Sequence, residues 1–200
     1  MKLIINMRVF LTVLTLIFSI QSLTKADDIK DFEIEGMSIG DSLVNHFTKK
    51  KIINAVKYGF SYPKSNKFIS ILIPVKKGNY DNFQFAIKPN DENYIIYSVE
   101  GEIKYQNNMV ECLKQQKIVI EDLKTFFPDV EISSNNSSHT YDKKSFTWET
   151  YFRFKNGSSI GVFCYDWSEE MLKANGWKDG LKVVIDSKEF INFLSSEAYD

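Results

Sequence analysis

The 200-residue chain carries 25 basic and 26 acidic residues, a formal charge of −1 that leaves no electrostatic footprint for nucleic acid or an anionic membrane. Its length suits one domain with a core of ordinary size.

Lys2 and Arg8 precede an apolar stretch from Val9 to Ile20 that only Thr12, Thr15 and Ser19 interrupt. Thr24-Lys25-Ala26 then places small residues at −3 and −1 of a cleavage site before Asp27. This order predicts a secretory signal over residues 1–26, cut between Ala26 and Asp27, and a soluble working domain over 27–200, periplasmic or secreted. The uncharged run between Arg8 and Lys25 is sixteen residues, short of the ~20 that a spanning helix needs. No later segment is long and apolar enough to cross a bilayer. Cleavage would remove Lys2, Arg8 and Lys25, leaving 22 basic against 26 acidic residues, a charge near −4.

Beyond the charged lead-in, Phe32 and Ile34 are strand-like. Gly36 to Gly40 break that pattern, and Asp41 or Ser42 can cap a following helix. Leu43, Val44, Phe47, Ile52, Ile53 and Val56 keep a loose helical spacing that Gly59 and Pro63 end. Lys67 to Val75 and Tyr80 to Lys88 read as a hairpin around Lys77-Gly78-Asn79, and Tyr94 to Tyr105 as a third strand after a turn at Pro89 to Asn93. Met109, Cys112, Leu113, Val119, Ile120, Leu123, Phe126 and Phe127 make one apolar stripe, a long helix stopped by Pro128. Ile132 to Lys144, with its Ser/Asn run, reads as a loop. Phe146 to Lys155 and Ile160 to Cys164 form a second hairpin around Asn156-Gly157-Ser158. A short helix to Ala174, a strand through Leu181, Val183 and Ile185, and a helix capped by Asp186 or Ser187 complete the chain. No internal repeat and no linker interrupts it. The expectation is a single α+β domain, an antiparallel sheet of about six strands with one long and several short helices packed on it.

Cys112 and Cys164 are the two cysteines. In an exported chain an even count reads first as a disulfide, with two separate buried thiols as the alternative. Cys112 on the helical stripe and Cys164 on the core side of a strand are consistent with a bond. Arg occurs only at positions 8 and 153, which with the heavy use of Ile, Asn, Phe and Tyr suggests an AT-rich bacterial genome. The sequons at Asn135, Asn136 and Asn156 then carry no glycan.

Asp28 to Leu43, Phe163 to Ser168 (FCYDWS) and Val183 to Tyr199 resemble an uncharacterised family of small exported proteins from marine alphaproteobacteria of the SAR11 type. The resemblance covers most of residues 27–200 and implies a bacterial, exported protein whose two cysteines recur at matching places. It implies no activity. Gly36-Met37-Ser38 ahead of Gly40 is also similar, over these few residues, to the opening of outer-membrane-assembly and β-lactamase-inhibitor-like modules.

Chemistry is sparsely signalled. The two histidines, His46 and His139, stand in no metal-ligand spacing, and there is no Cys-x-x-Cys. Asn90 to Asn93 could coordinate calcium, but reads more simply as a turn. No nucleophile elbow or phosphate-cradling glycine loop is present. Carboxylates for glycoside hydrolysis need not be close in sequence, so 26 acidic residues carry no signal. Lys49-Lys50-Lys51 reads as a solvated helix face. No catalytic residue, cofactor or metal is therefore assigned. Tyr165, Asp166, Trp167 and Trp177 are the candidate binding surface, set against the ordinary reading of aromatics as core and edge cover. Three functions stay open: a non-catalytic module that binds a periplasmic or envelope protein, a small-ligand binder, and an envelope hydrolase.

Overall fold

The computed structural model describes residues 29–75, 78–139 and 142–199. Residues 1–26, expected as a signal segment, and the expected cut between Ala26 and Asp27 lie outside the described residues.

Alternation of apolar and polar side chains dictates the sheet. Ile69, Ile71 and Ile73 of β2 (Ser65–Pro74) stand opposite Ile87, Phe85 and Phe83 of β3 (Asn82–Ile87). Val99 of β4 (Ser98–Lys104) faces Phe85 on one side and Ile185 of β8 (Gly180–Asp186) on the other. Ile160, Val162 and Cys164 of β7 (Ser159–Asp166) continue the same face toward Phe152, Thr150 and Trp148 of β6 (Phe146–Arg153). Most of these residues are fully buried, and each Ile or Phe so placed contributes ~1.5–3 kcal/mol of transfer free energy.

Two further strands complete an antiparallel sheet of eight rather than six. β1 (Phe60–Tyr62) and β5 (Glu131–Ser138) are its two edges, in the order β1-β2-β3-β4-β8-β7-β6-β5. The segment expected as a loop, Ile132 to Lys144, therefore begins as a regular strand. Backbone pairing to β6 fixes it, from Glu131 opposite Arg153 to Ser138 opposite Phe146. The strand-like reading of Phe32 and Ile34 reduces to a tight turn, in which Ile34 bridges Met37.

Helices cover the apolar face. α1 (Lys49–Lys57) packs on β2, and the long α2 (Met109–Phe126) lies across β7 and β8. Asn108 caps α2 by accepting from the Glu111 amide. The structure joins Cys112 of α2 to Cys164 of β7, their Cα atoms 6.2 Å apart. One turn along, the buried Gln116 donates to the carbonyls of Trp148 at 2.8 Å and Val162 at 3.0 Å, tying β6 and β7 to the helix. α3 (Glu169–Asn175) is capped by Ser168 and closed by Gly176 in the left-handed region. α4 (Lys188–Ser196) is capped by Ser187, whose Oγ accepts from the Phe190 amide, while Asp186 remains in β8.

The topology is duplicated although the sequence shows no repeat. A helix followed by four meandering strands occurs twice, as α1-β1-β2-β3-β4 and as α2-β5-β6-β7-β8, the second with α3 inserted between β7 and β8. The sheet order reads the same from either edge under exchange of the two halves, which meet at the antiparallel β4–β8 seam. No helix among the described residues is long and apolar enough to cross a membrane.

Candidate functional site

The other face of the sheet is where chemistry-bearing side chains gather. Because alternate residues point to opposite faces, the strand registers lay them out in rows. One row runs Ser70, Ala86, Ser98, Asp186, Ser159 and Arg153 from β2 to β6; the next runs Leu72, Gln84, Glu100, Val184, Gly161 and Tyr151. A third places Asn82, Glu102, Lys182, Phe163 and Glu149 side by side.

At one end α4 covers this face, with Phe190 and Phe193 clustered with Tyr62, Phe68 and Ala86. Beside it lies a cleft of about 1480 Å³, floored by Gln84, Ser98, Glu100, Tyr151 and Asp186. Ile191, Leu194 and Ser195 of α4 form one wall, and the Asn156–Ser158 turn with Pro128 to Val130 forms another. Glu100, Asp129, Glu131 and Asp186 line it against Arg153 and Lys155, four carboxylates to two cations.

The floor is hydrogen-bonded. Lys182 Nζ reaches Glu100 Oε1 at 2.8 Å, and both side chains are largely buried. Burial pulls the Lys182 ammonium down, but the charge and hydrogen bond of Glu100 outweigh it and hold it above its ordinary value. Asp186 accepts from Ser98 Oγ at 2.6 Å. Its carboxyl is pushed up to about 6 by burial, opposed by the Ser98 hydrogen bond and assisted by the charge of Glu100. Burial, and then Glu149, raise Tyr151 to about 12.

Three of the four residues expected at a binding surface come together, and one does not. Tyr165 and Trp167 stack at 5.0 Å with their planes 7° apart, and Trp167 meets Trp177 at 4.6 Å. The row continues inward through Phe163, 6.1 Å from Tyr165, to Tyr151, 5.0 Å from Phe163. Asp166 sits between Tyr165 and Trp167 in sequence, so alternation sends it to the opposite face, where it is exposed opposite Phe146. Burial and the neighbouring Asp179 raise its carboxyl.

This stacking bears on recognition. Tyr165 and Trp167 spend facing surfaces on each other, and Lys182 Nζ stands 5.4 Å over the Tyr165 ring. Those two rings form a packed spine rather than a flat platform for a sugar. Trp177, 41% exposed, is the ring that still presents itself to solvent. Gly161 makes the spine possible: a Cβ there would lie 2.1 Å from Phe163 Cζ.

Sequence reasoning did not single out Glu100, Asp186, Lys182, Tyr151 or Phe163 as site residues. The polar side of the β6 strand, with Glu149, Tyr151 and Arg153 in alternation, was the available signal. Elsewhere, Asp91 accepts from the amides of Asn93 and Ile95, the hydrogen bonding of a turn. Among the described residues no three His, Cys, Asp or Glu side chains group as metal ligands. Lys49, Lys50 and Lys51 are exposed on the first turn of α1, with Lys51 over the Phe47 ring. Compared with protein-family models, curated proteins and solved structures, the chain matches none.

Proposed function

We propose that this chain is an exported, non-catalytic binding module that holds a periplasmic or envelope protein against the helix-poor face of its sheet. The observation that carries this reading is the cleft beside α4. At about 1480 Å³ it exceeds the 300–1,000 Å³ typical of small-molecule pockets. Its floor is a sheet whose side chains are fixed by register and by the Lys182–Glu100 and Ser98–Asp186 contacts, so a partner meets a preorganised surface. The carboxylate excess favours a partner that presents basic groups.

A photo-crosslinking side chain at Tyr151, on the cleft floor, tests this against one at the exposed Lys117 of α2. The expected result in cells is a discrete adduct from position 151 that weakens with salt and is missing at 117. Equal adducts from both positions, or none from 151, defeats the reading.

Small-solute binding is the second reading, supported by Asp186, a partly buried carboxyl facing the cleft. A thermal-shift screen with sugars, amino acids and osmolytes separates the two. A bound solute at a hundred times its Kd adds ~2.7 kcal/mol; no shift across the screen leaves the protein-binding reading alone.

A further inference from the structure

The two edges of the sheet are treated differently. An edge strand presents unpaired N–H and C=O groups, and proteins ordinarily blunt it by shortening, bulging, charge, proline or a covering element. β1 is three residues long, and its register with β2 shifts between Ser61 and Tyr62. Beyond Glu131 at its start, β5 has none of these devices among the described residues. It runs eight residues in unbroken register with β6, and Ile132 to Ser138 include neither a charge nor a proline. Six of its eight residues are exposed, and among the described residues no strand lies on its outer side.

We propose that the outer edge of β5 pairs antiparallel with the same strand of a second copy, forming a two-fold dimer with one continuous sheet. The occupant follows from the strand itself. Self-pairing of a neutral Ser/Asn stretch brings no like charges into opposition, and the antiparallel arrangement places Glu131 of each copy toward the far end of the other. The molecule already joins two four-stranded halves in this manner, edge to edge and antiparallel, at β4–β8. Because β1 is short and bulged, pairing through β5 consumes the one long open edge among the described residues, so assembly closes at two copies instead of growing into a fibre. A strand-only contact lies at the small end of specific interfaces, which makes the dimer weak and concentration-dependent. This inference is independent of the cleft.

Sedimentation of the purified chain over a concentration series up to millimolar provides the test. The expected result is a monomer–dimer equilibrium. Asn135→Lys/Asn136→Lys and Asn135→Glu/Asn136→Glu should each sediment as monomers with unchanged circular dichroism, and mixing the two should restore a dimer. A wild-type chain that stays monomeric throughout overturns the proposal. So does a dimer that persists in both charged variants, or a mixture of folded variants that does not associate. Should either variant misfold, loss of amide-exchange protection in β5 on diluting the wild type decides the matter; protection independent of concentration counts against it.

Discussion

Ser98 Oγ donates to Asp186 Oδ1 at 2.6 Å across the β4–β8 seam, and this contact is all that offsets the burial of the Asp186 carboxyl beside Glu100. The folded-state pKa is about 6, above its ordinary 3.8. The native state therefore binds a proton more tightly than the unfolded chain. Stability falls as pH rises from near 3.8 to about 6, and the penalty is complete above that window. Asp186→Asn keeps the acceptor and removes the ionisation. It should stabilise the protein by roughly 2–3 kcal/mol at pH ~7.5 and change little at pH ~3.5. Urea unfolding at the two pH values measures this, and an equal effect at both would show that charge is not the cause.

The Lys182–Glu100 pair makes the opposite demand. Both groups are largely buried, Glu100 in the floor of the cleft and Lys182 beside it, so removal of one strands the other. Lys182→Met should cost about 2–4 kcal/mol. Adding Glu100→Gln should recover most of the loss, because the cost lies in the unpaired carboxylate and not in the absent ion pair. A double-mutant cycle by denaturant unfolding checks it; a double variant as unstable as the single one refutes the account.

Gly161 is a packing requirement of the aromatic row. Its absent side chain leaves the space that the Phe163 ring occupies, and that ring is held between Tyr151 and Tyr165. Gly161→Ala should destabilise by about 1–3 kcal/mol and alter the near-ultraviolet circular dichroism. Phe163→Leu in the same chain should relieve part of the strain, since the clash is with the ring. A harmless Gly161→Ala would mean that the ring moves freely.

The parts of the fold legible in the sequence are those where one face meets a core. β2, β3, β4, β6, β7 and β8 all carry apolar alternation, because each lies under a helix or between strands that do. β1 and β5 lie at the edges, where there is little core to cover; FSY is too short to establish a period and EISSNNSS holds none. Backbone pairing to a neighbour specifies them, and that is a tertiary property. The duplication is hidden for a related reason: topology constrains which face is apolar, while the residues that achieve it differ between halves. At the site, Tyr165, Trp167 and Trp177 were visible as an aromatic cluster. Glu100 and Asp186 come from β4 and β8, separated by 86 positions in the chain, so nothing local marks them as neighbours.

The Cys112–Cys164 bond fastens the first turn of α2 to the C-terminal part of β7, and Gln116 makes its two carbonyl contacts one turn further along the helix. Closing a sequence separation of 52 residues restricts the unfolded chain, worth ~4 kcal/mol in the loop-entropy treatment. Cys112→Ala/Cys164→Ala should lower stability by about that amount and lower Tm correspondingly. Gln116 holds α2 to β6 and β7 without the bond, so the variant should still fold with α2 in place. Calorimetry on the variant, and on wild type with and without reductant, gives the measurement. Reductant should reproduce the variant's Tm in wild type and leave the variant itself unmoved. A Tm that does not shift, in a chain shown by mass to be oxidised before treatment and reduced after it, would mean that the loop is already constrained in the unfolded state.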